Sequence, residues 1–493
     1  MSEGGQYEIV VGLEVHAQLL TKSKLFCGDS TAFGSEPNTQ ISPITLAYPG
    51  TLPKMNKKAI EFAIKMGLAC ECEIENHNYF ARKHYFYPDL PKGYQISQHT
   101  TPICKKGFVR INTVAGEKNI RLNRIHLEED AGKSLHDADH ESTSVDYNRA
   151  GMPLIEIVSE PDIRSSEEAY AYVTELRKLV RYLDICDGNM EEGSFRCDAN
   201  ISVREKGNEN LGTKVEVKNL NSIRHIKKAI DFEAARLIKL LQTKQQIIQQ
   251  TRSFDATTGT TFSIRDKEDA DDYRYFAEPD LTPFALEDEF IEQVRRSIPV
   301  LQKERIKNYI KNFHLSEYDA TVLTEEKSFS DYFETIIHHF FLPLEAEQNI
   351  VKYKAAANWM LGPVKSWLNE HNKDTVDFPV HPSKIALIIE LINDGKLNFS
   401  IASTRLWNTL LNDPSKDPGK IAVDENLIQQ SDINSIEEVI DQVLSKYTAK
   451  VIEYKKGKKG LLGLFVGEVM KLSKGKADPK LTNDLLIEKL KSK

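Results

Sequence analysis

The chain has 493 residues, 65 Lys plus Arg against 73 Asp plus Glu, and a formal net charge of −8. At roughly 100 to 200 residues per domain this is two to four domains, which excludes a single small binding module. A composition of 40% apolar and 28% charged residues excludes disordered and collagen-like classes, and the negative balance excludes a chain-wide nucleic-acid coat.

The opening MSEGGQY (Met1 to Tyr7) has neither a basic n-region nor an apolar h-region, and no later stretch approaches the roughly 20 apolar residues of a membrane span. Cysteines at 27, 70, 72, 104, 186 and 197 give no disulfide framework in so long a chain. The expectation is a cytoplasmic protein with reduced thiols and no membrane contact.

The first strand is predicted at Tyr7 to Gln18. Ile9, Val11, Leu13 and Val15 fall on one face, and Gly12, Glu14, His16 and Gln18 on the other. Glu14 and His16 therefore point the same way, which suits a metal, an acid/base pair or a polar face wetted by solvent. Cys70-Glu-Cys72 offers two thiolates but lacks the second pair that structural zinc requires. Arg82-Lys-His-Tyr-Phe-Tyr-Pro-Asp-Leu-Pro-Lys92 interleaves basic and aromatic residues. That pattern suits a nucleotide or nucleic-acid surface, or a Pro-bounded loop packed through Tyr85 and Tyr87.

Around Arg124-Ile-His-Leu-Glu-Glu-Asp-Ala-Gly-Lys133, the acids Glu128, Glu129 and Asp130 run into Gly132 and Lys133, as in a turn that sets metal-type oxygens beside a cation. Pro153 to Ser159 is an apolar run interrupted by Glu156, and an ionised carboxylate there is costly unless paired or bound to a metal. Two further alternating strands follow. Phe195, Cys197, Ala199, Ile201 and Val203 oppose Arg196, Asp198, Asn200, Ser202 and Arg204, while Val215 and Val217 oppose Lys214, Glu216 and Lys218.

Beyond residue 290 or so the pattern changes to helix after helix, so the fold class is α+β followed by an all-helical region. Breaks at Phe276-Ala-Glu-Pro-Asp-Leu-Thr-Pro283 and Asn412-Asp-Pro-Ser-Lys-Asp-Pro-Gly419 punctuate the chain. They divide it into three domains, 1–294, 295–412 and 413–493. Helices are predicted after Pro382-Ser383 and after Ser435, with Glu438 completing a capping box. Lys455-Lys-Gly-Lys-Lys-Gly460 reads as a basic loop feeding a helix start, a phosphate site or a simple turn. Lys446 to Lys493 holds 13 Lys against 5 Asp plus Glu, so the tail is either a polyanion contact or a solvated helix face.

An antiparallel sheet gathering carboxylates, His, Asn, Arg and Lys on one face suits a metal-nucleotide site. Gly132-Lys133-Ser134 is not a P-loop, because position 127 is Leu127 where that motif needs glycine. A Gly-x-Ser-x-Gly elbow and a reactive-cysteine context are also missing, so the sequence offers no covalent amidase or esterase centre.

Several ordered motifs together carry a family resemblance. They are Gly12-Leu-Glu-Val-His16, Tyr85-Phe-Tyr-Pro-Asp89, Tyr94-Gln-Ile-Ser-Gln98, His126-Leu-Glu-Glu-Asp-Ala-Gly-Lys133, Pro153-Leu-Ile-Glu-Ile-Val-Ser-Glu-Pro-Asp162, Met190-Glu-Glu-Gly-Ser-Phe-Arg-Cys-Asp-Ala-Asn-Ile-Ser202, Asp271-Asp-Tyr-Arg-Tyr-Phe276 and the C-terminal Lys459-Gly-Leu-Leu-Gly-Leu-Phe-Val-Gly-Glu-Val-Met-Lys471. The chain closely resembles the B subunits of the bacterial-type aspartyl/glutamyl-tRNA(Asn/Gln) amidotransferases, the GatB family, over its whole length. The resemblance implies a cradle-shaped catalytic domain related to glutamine synthetase and guanido kinases, then a helical domain and a small YqeY-type tail domain.

In that family the B subunit uses ATP and Mg²⁺ to phosphorylate the side-chain carboxyl of Glu on tRNA(Gln) or Asp on tRNA(Asn), and ammonia then displaces the phosphate. The absent nucleophile agrees with the family's division of labour, in which an amidase partner, the A subunit, supplies ammonia and a small C subunit makes up the heterotrimer. By motif, the resemblance assigns Glu14, His16, Glu128 and Glu156 to Mg²⁺ and the ammonia path, with Glu129, Asp198 and Asn200 in second rank. Lys92, Lys133, Arg196, Lys214 and Lys218 are implied for ATP phosphates, beside Asp198 and Asn200. Many relatives carry a four-cysteine zinc knot where this chain has Cys27-Gly-Asp29 and Ile41-Ser-Pro-Ile44; with one cysteine left, no zinc is expected. The lysine-rich tail corresponds to the part that reaches the tRNA. A non-catalytic tRNA scaffold and a glutamine-synthetase-like ligase on a small carboxylate are the alternatives.

Overall fold

The computed structural model describes residues 6–136, 142–266, 273–340, 346–428, 433–473, 477 and 479–492. Asp271 and Asp272 of the Asp271 to Phe276 motif lie outside the described residues. The chain forms two compact units, Met1–Leu301 and Gln302–Lys493.

The first unit is organised by a 13-stranded sheet. Its strands are β1 (Tyr7–Gln18), β2 (Glu73–Ile74), β3 (Ala81–His84), β4 (Tyr94–Ser97), β5 (Cys104–Lys105), β6 (Phe108–Thr113) and β7 (Gly116–Glu129). They continue with β8 (Pro153–Ser159), β9 (Phe195–Glu205), β10 (Val215–Lys218), β11 (Gln250–Asp255), β12 (Thr260–Asp266) and β13 (Phe276–Ala277). The spatial order is β12-β11-β10-β9-β1-β8-β7-β4-β3-β13, with β5 joining β2 to β7 and β6 hairpinned onto β7. Only β10 and β11 run parallel among the described pairs, and the other described pairs are antiparallel.

Period-two patterning fixes which way this sheet faces. Val11, Leu13, Val15 and Ala17 of β1 are wholly buried, as are Ile155 and Ile157 of β8, Ile125 and Leu127 of β7, and Ala199 and Ile201 of β9. They join one core with helices α1 (Lys57–Ala69), α2 (Ser166–Tyr182) and α3 (Ile223–Gln242). Each helix starts where a side chain satisfies an orphan backbone donor: Asn56 accepts from Lys58 N, Ser165 from Glu168 N, and Ser222 from His225 N. With the helices on one face, the alternate residues of the same strands are left to line the other.

The sequence expectation of a turn at Glu128 to Asp130 is corrected here. Glu128 and Glu129 both belong to β7, and only Asp130 begins the turn. The two glutamates therefore point to opposite sides of the strand.

The second unit is helical and holds two apolar cores. One runs from Tyr309 to Leu427 and includes Phe333, Trp359, Ile388 and Trp407. The other runs from Ile436 to Leu490 around Phe465, Val469 and Leu486. Helix Pro382–Asn393 opens with proline at its first turn, where the missing N–H costs nothing, and His381 accepts from Ser383 N. Ser435, expected to precede its helix, stands instead within helix Ile433–Lys446. No described helix is long and apolar enough to cross a membrane.

Candidate functional site

Strand register sets the site out as a grid on the open face of the sheet. In one row, Arg196 of β9 lies opposite His16 of β1, His16 opposite Glu156 of β8, and Glu156 opposite His126 of β7. The adjacent row, two residues along each strand, reads Asp198, Glu14, Val158 and Arg124. On the other side, Gln18 lies opposite Leu154, Leu154 opposite Glu128, and Glu128 opposite Ser97 of β4. Grid neighbours are about 4.8 Å apart across strands and about 6.7 Å along them, so side chains from four strands converge.

At the centre two carboxylates and two imidazoles alternate. His16 Nε2 is 3.5 Å from Glu156 Oε2 and 3.8 Å from Glu128 Oε1. His126 Nε2 is 3.4 Å from Glu156 Oε2 and 3.5 Å from Glu128 Oε2. Ser97 Oγ donates to Glu128 Oε2 at 3.2 Å. Glu128 is 4% and Glu156 9% exposed, so neither carboxylate charge is dispersed by water.

The electrostatics follow from that burial. Burial opposes a charged His16, yet its hydrogen bond to Glu156 and the charges of Glu156 and Glu128 push it up to about 9. Burial would raise Glu156 as well, but His126 and His16 hold it well below the usual carboxylate range. Glu128 is likewise lowered: burial opposes its charge, but the hydrogen bond to His126 and the attraction of His126 and His16 together outweigh it. In the adjacent row Glu14 is raised, first by burial and then by the neighbouring Glu156. Two carboxylates this close and this dry demand positive charge between them.

That demand, with ligand atoms of His16, Glu128 and Glu156 all within 4.8 Å of one another, fits a divalent cation. Two carboxylate oxygens with imidazole nitrogen suit Mg²⁺ or Mn²⁺ completed by water and substrate oxygens. His126 adds a fourth donor in reach, and its Nδ1 is buried without a hydrogen-bond partner. The trio is the one such group among the described residues.

The other residues singled out by the sequence lie around this centre or apart from it. Glu14 accepts from Asn200 Nδ2 at 2.9 Å, and Lys218 Nζ lies 3.1 Å from Asp198 and 3.2 Å from Glu216. Arg196 donates to Asp130 Oδ2 at 2.7 Å, as does Gln18. Glu129 turns away from the cluster to meet Lys92 Nζ at 2.5 Å and Ile96 N at 3.0 Å. Lys133 is exposed on a separate hairpin, Lys133–His136 with Thr143–Asp146. Lys214 lines a 280 Å³ cavity with Gly12, Glu14, Val158, Pro161, Asn200, Ser202 and Leu211. Cys27 Sγ sits 3.4 Å from Thr45 Oγ1, which also donates to Asp29.

Sequence reasoning passed over His126, Arg124 and Lys83. The signal for His126 was present: His126-x-Glu128 shares one strand face by the same two-residue rule that paired Glu14 with His16. Lys83, held above its usual range by Glu128 despite burial, reaches the cluster only because β3 lies beside β4 and β4 beside β7. No local pattern encodes that adjacency.

Comparison with known proteins extends this picture to the whole chain. The family model described as the GatB/GatE catalytic domain matches residues 9–292, and the one described as the GatB domain matches 343–490. The B subunit of an aspartyl/glutamyl-tRNA(Asn/Gln) amidotransferase from Thermodesulfovibrio yellowstonii is 48% identical, covering 99% of this chain and 100% of its own. Proteins of the same name from Geotalea daltonii and Nitrosococcus oceani are each 47% identical over 98% of this chain, and over 99% and 100% of their own lengths.

Proposed function

This chain belongs to the GatB family of tRNA-dependent amidotransferase subunits, and we propose that its sheet face transfers the γ-phosphoryl group of ATP to a carboxyl carried on tRNA. The substrates are Glu-tRNA(Gln), Asp-tRNA(Asn) or both. In the first step a side-chain carboxylate oxygen bonds to the γ-phosphorus while the bond to the ADP oxygen breaks. In the second, ammonia attacks the acyl carbon, the C–O bond to phosphate breaks, and a proton leaves nitrogen, giving the amide and inorganic phosphate. Phosphorylation is needed because a carboxylate is a poor acyl donor.

The observation that carries this reading is the buried alternation of Glu156 and Glu128 with His16 and His126. Those side chains would hold Mg²⁺, which when bound supplies positive charge to the phosphates and to the developing phosphoryl charge. Glu14, Asn200 and Lys214 border the 280 Å³ cavity, a volume suited to the nucleoside end of ATP. The dry floor of the sheet shields the acyl phosphate from hydrolysis.

Ammonia has to be delivered, since the described site contains no nucleophile for releasing it from glutamine; the reading therefore includes two partners in the cytoplasm, an amidase (the A subunit) and a small C subunit, in a heterotrimer. Contact with the tRNA body is given to the tail at 413–493. Exposed Lys455 and Lys456 there face no described carboxylate within ion-pair distance, which suits a phosphate backbone.

The test is ATP cleavage by the heterotrimeric complex with Mg²⁺, comparing Glu-tRNA(Gln), Asp-tRNA(Asn), uncharged tRNA and no tRNA. Turnover that needs a charged tRNA, with amidation when glutamine is added, is the expected result. Tight tRNA binding with no ATP cleavage in any arm would make the chain a scaffold instead. Cleavage that ignores tRNA would point to a small-carboxylate ligase.

A further inference from the structure

Among the cations assigned above to phosphate, three are already committed. Lys92 is held by Glu129 at 2.5 Å, Arg196 by Asp130 at 2.7 Å, and Lys218 by Asp198 and Glu216 at 3.1 and 3.2 Å. A lysine or arginine neutralised by its own carboxylate has little charge to offer a substrate anion. Lys133 stands on the separate hairpin and Lys214 on the cavity side. The two-row grid identifies a cation in a different condition.

Arg124 lies two residues from His126 and four from Glu128 on β7, with regular pairing from Arg124 to Glu129, so all three side chains share the open face. Arg124 has no described carboxylate within ion-pair distance. Its Nε is buried without a partner, and its Nη1 makes one long bond, 3.5 Å, to the His99 carbonyl. The contrast with Arg82, which meets Glu278 through two bonds of 2.7 and 2.8 Å, shows what a satisfied guanidinium looks like in this sheet.

The surroundings repeat the same sign. The His99 ring stacks on Tyr275 at 3.9 Å and 9°, and its imidazole is lowered by burial and then by Arg124, His126 and Lys83. Lys83 Nζ lies 4.7 Å from the Tyr273 ring centroid, with no described carboxylate within ion-pair distance. Arg124 and Lys83 thus both lie beside the carboxylate-imidazole cluster with no described carboxylate at ion-pair distance, Lys83 feeling Glu128 and Glu156 only from further off. A half-buried guanidinium with no carboxylate partner is matched by a tetrahedral oxyanion, which takes two parallel N–H bonds from one guanidinium.

We infer that Arg124 is a catalytic residue that grips the phosphoryl group in transit, bonding its non-bridging oxygens as it passes from ADP to the acyl oxygen and again as phosphate departs. This rests on the phosphoryl-transfer reading above. Because charge on those oxygens is redistributed during transfer, a fixed donor fork stabilises the transition state more than the bound substrates. Lys83 supplies the second positive charge from the β3 side.

The experiment uses the heterotrimeric complex, measuring charged-tRNA-dependent ATP cleavage by wild type, Arg124→Ala and Arg124→Lys. For Arg124→Ala kcat should fall roughly 10²–10³-fold, the usual loss for one oxyanion donor, while KM for charged tRNA moves by less than about threefold. Arg124→Lys should retain more activity than the alanine variant. Added guanidinium ion should restore Arg124→Ala by about tenfold or more, which a packing role would not produce. Wild-type turnover matched by Arg124→Ala, or a loss that guanidinium leaves untouched, overturns this inference alone. Absence of ATP cleavage by the wild type overturns it together with the reading it rests on.

Discussion

The two faces of the 13-stranded sheet are built from alternate residues of the same strands, yet they are held by opposing physics. On the helix side Leu13, Val15, Ile155 and Ile157 give up all their exposure to a continuous apolar core, and their energy comes from area removed from water. On the other side Glu128, Glu156 and His126 are buried and His16 half-buried, and the two carboxylates are tolerable there only through the imidazoles beside them. One face stabilises the unit; the other stores unmet charge where a substrate can use it.

The largest effect that would break this contrast is at the centre of the charged face. Glu156→Gln keeps shape and removes charge, and should lower charged-tRNA-dependent ATP cleavage by roughly 10²–10⁴-fold, with the Mg²⁺ concentration for half activity raised. Full activity with unchanged Mg²⁺ dependence would remove Glu156 from the metal's ligands. The apolar face should answer in the opposite currency. Leu13→Ala should destabilise by about 2–5 kcal/mol in a denaturant titration, while kcat per folded complex stays within about twofold.

Smaller effects sharpen the comparison at its margins. Ending the chain after Ile428, one residue beyond the last member of the Tyr309 to Leu427 core, should weaken tRNA affinity by roughly tenfold and flatten its salt dependence. Assembly of the heterotrimer, followed by size-exclusion chromatography, should be unaffected. Unchanged affinity would return the lysines of the tail to a solvated helix face.

The least effect is expected at the loop cluster of Cys27, Asp29 and Thr45, where Thr45→Ala should cost about 1 kcal/mol near neutral pH. Burial would raise Asp29, but the Thr45 hydroxyl and its other donors hold it below its ordinary 3.8. A carboxyl lowered by folding stabilises above its unfolded pKa and loses that contribution as pH falls through the folded one. The gap between wild type and Thr45→Ala should therefore close below about pH 3.8. A constant gap down to pH 2.5 or so would assign the cost to packing instead.

Much of this was legible in the chain. The alternation in Tyr7 to Gln18, Phe195 to Arg204 and Lys214 to Lys218 gives strands and their inward residues, because a side-chain period of two is local. The same rule puts Glu14 and His16 on one face, and the cost of a lone charge in an apolar run marks Glu156. The grid itself was not legible. That His126 meets Glu156, and that Glu129 faces Lys92 rather than the cluster, depend on registers between strands many residues apart. The turn read at Glu128 failed for a related reason: three acids before Gly132 look like a turn, but pairing with β8 through Pro153 keeps β7 extended as far as Glu129. Arg124 was hidden because its distinguishing property is a missing partner, which a one-dimensional pattern cannot register.

The central claim is that this sheet face makes an acyl phosphate on the tRNA-borne side chain, and the direct measurement is to trap it. The heterotrimeric complex is incubated with ATP, Mg²⁺ and Glu-tRNA(Gln) or Asp-tRNA(Asn), with glutamine and ammonia withheld and hydroxylamine present. The tRNA ester is then hydrolysed and the amino acid analysed. A side-chain hydroxamate that forms only with ATP, and is lost in Glu156→Gln, is the result this account requires. ATP cleavage without hydroxamate on either amino acid, or hydroxamate formed without ATP, would contradict it.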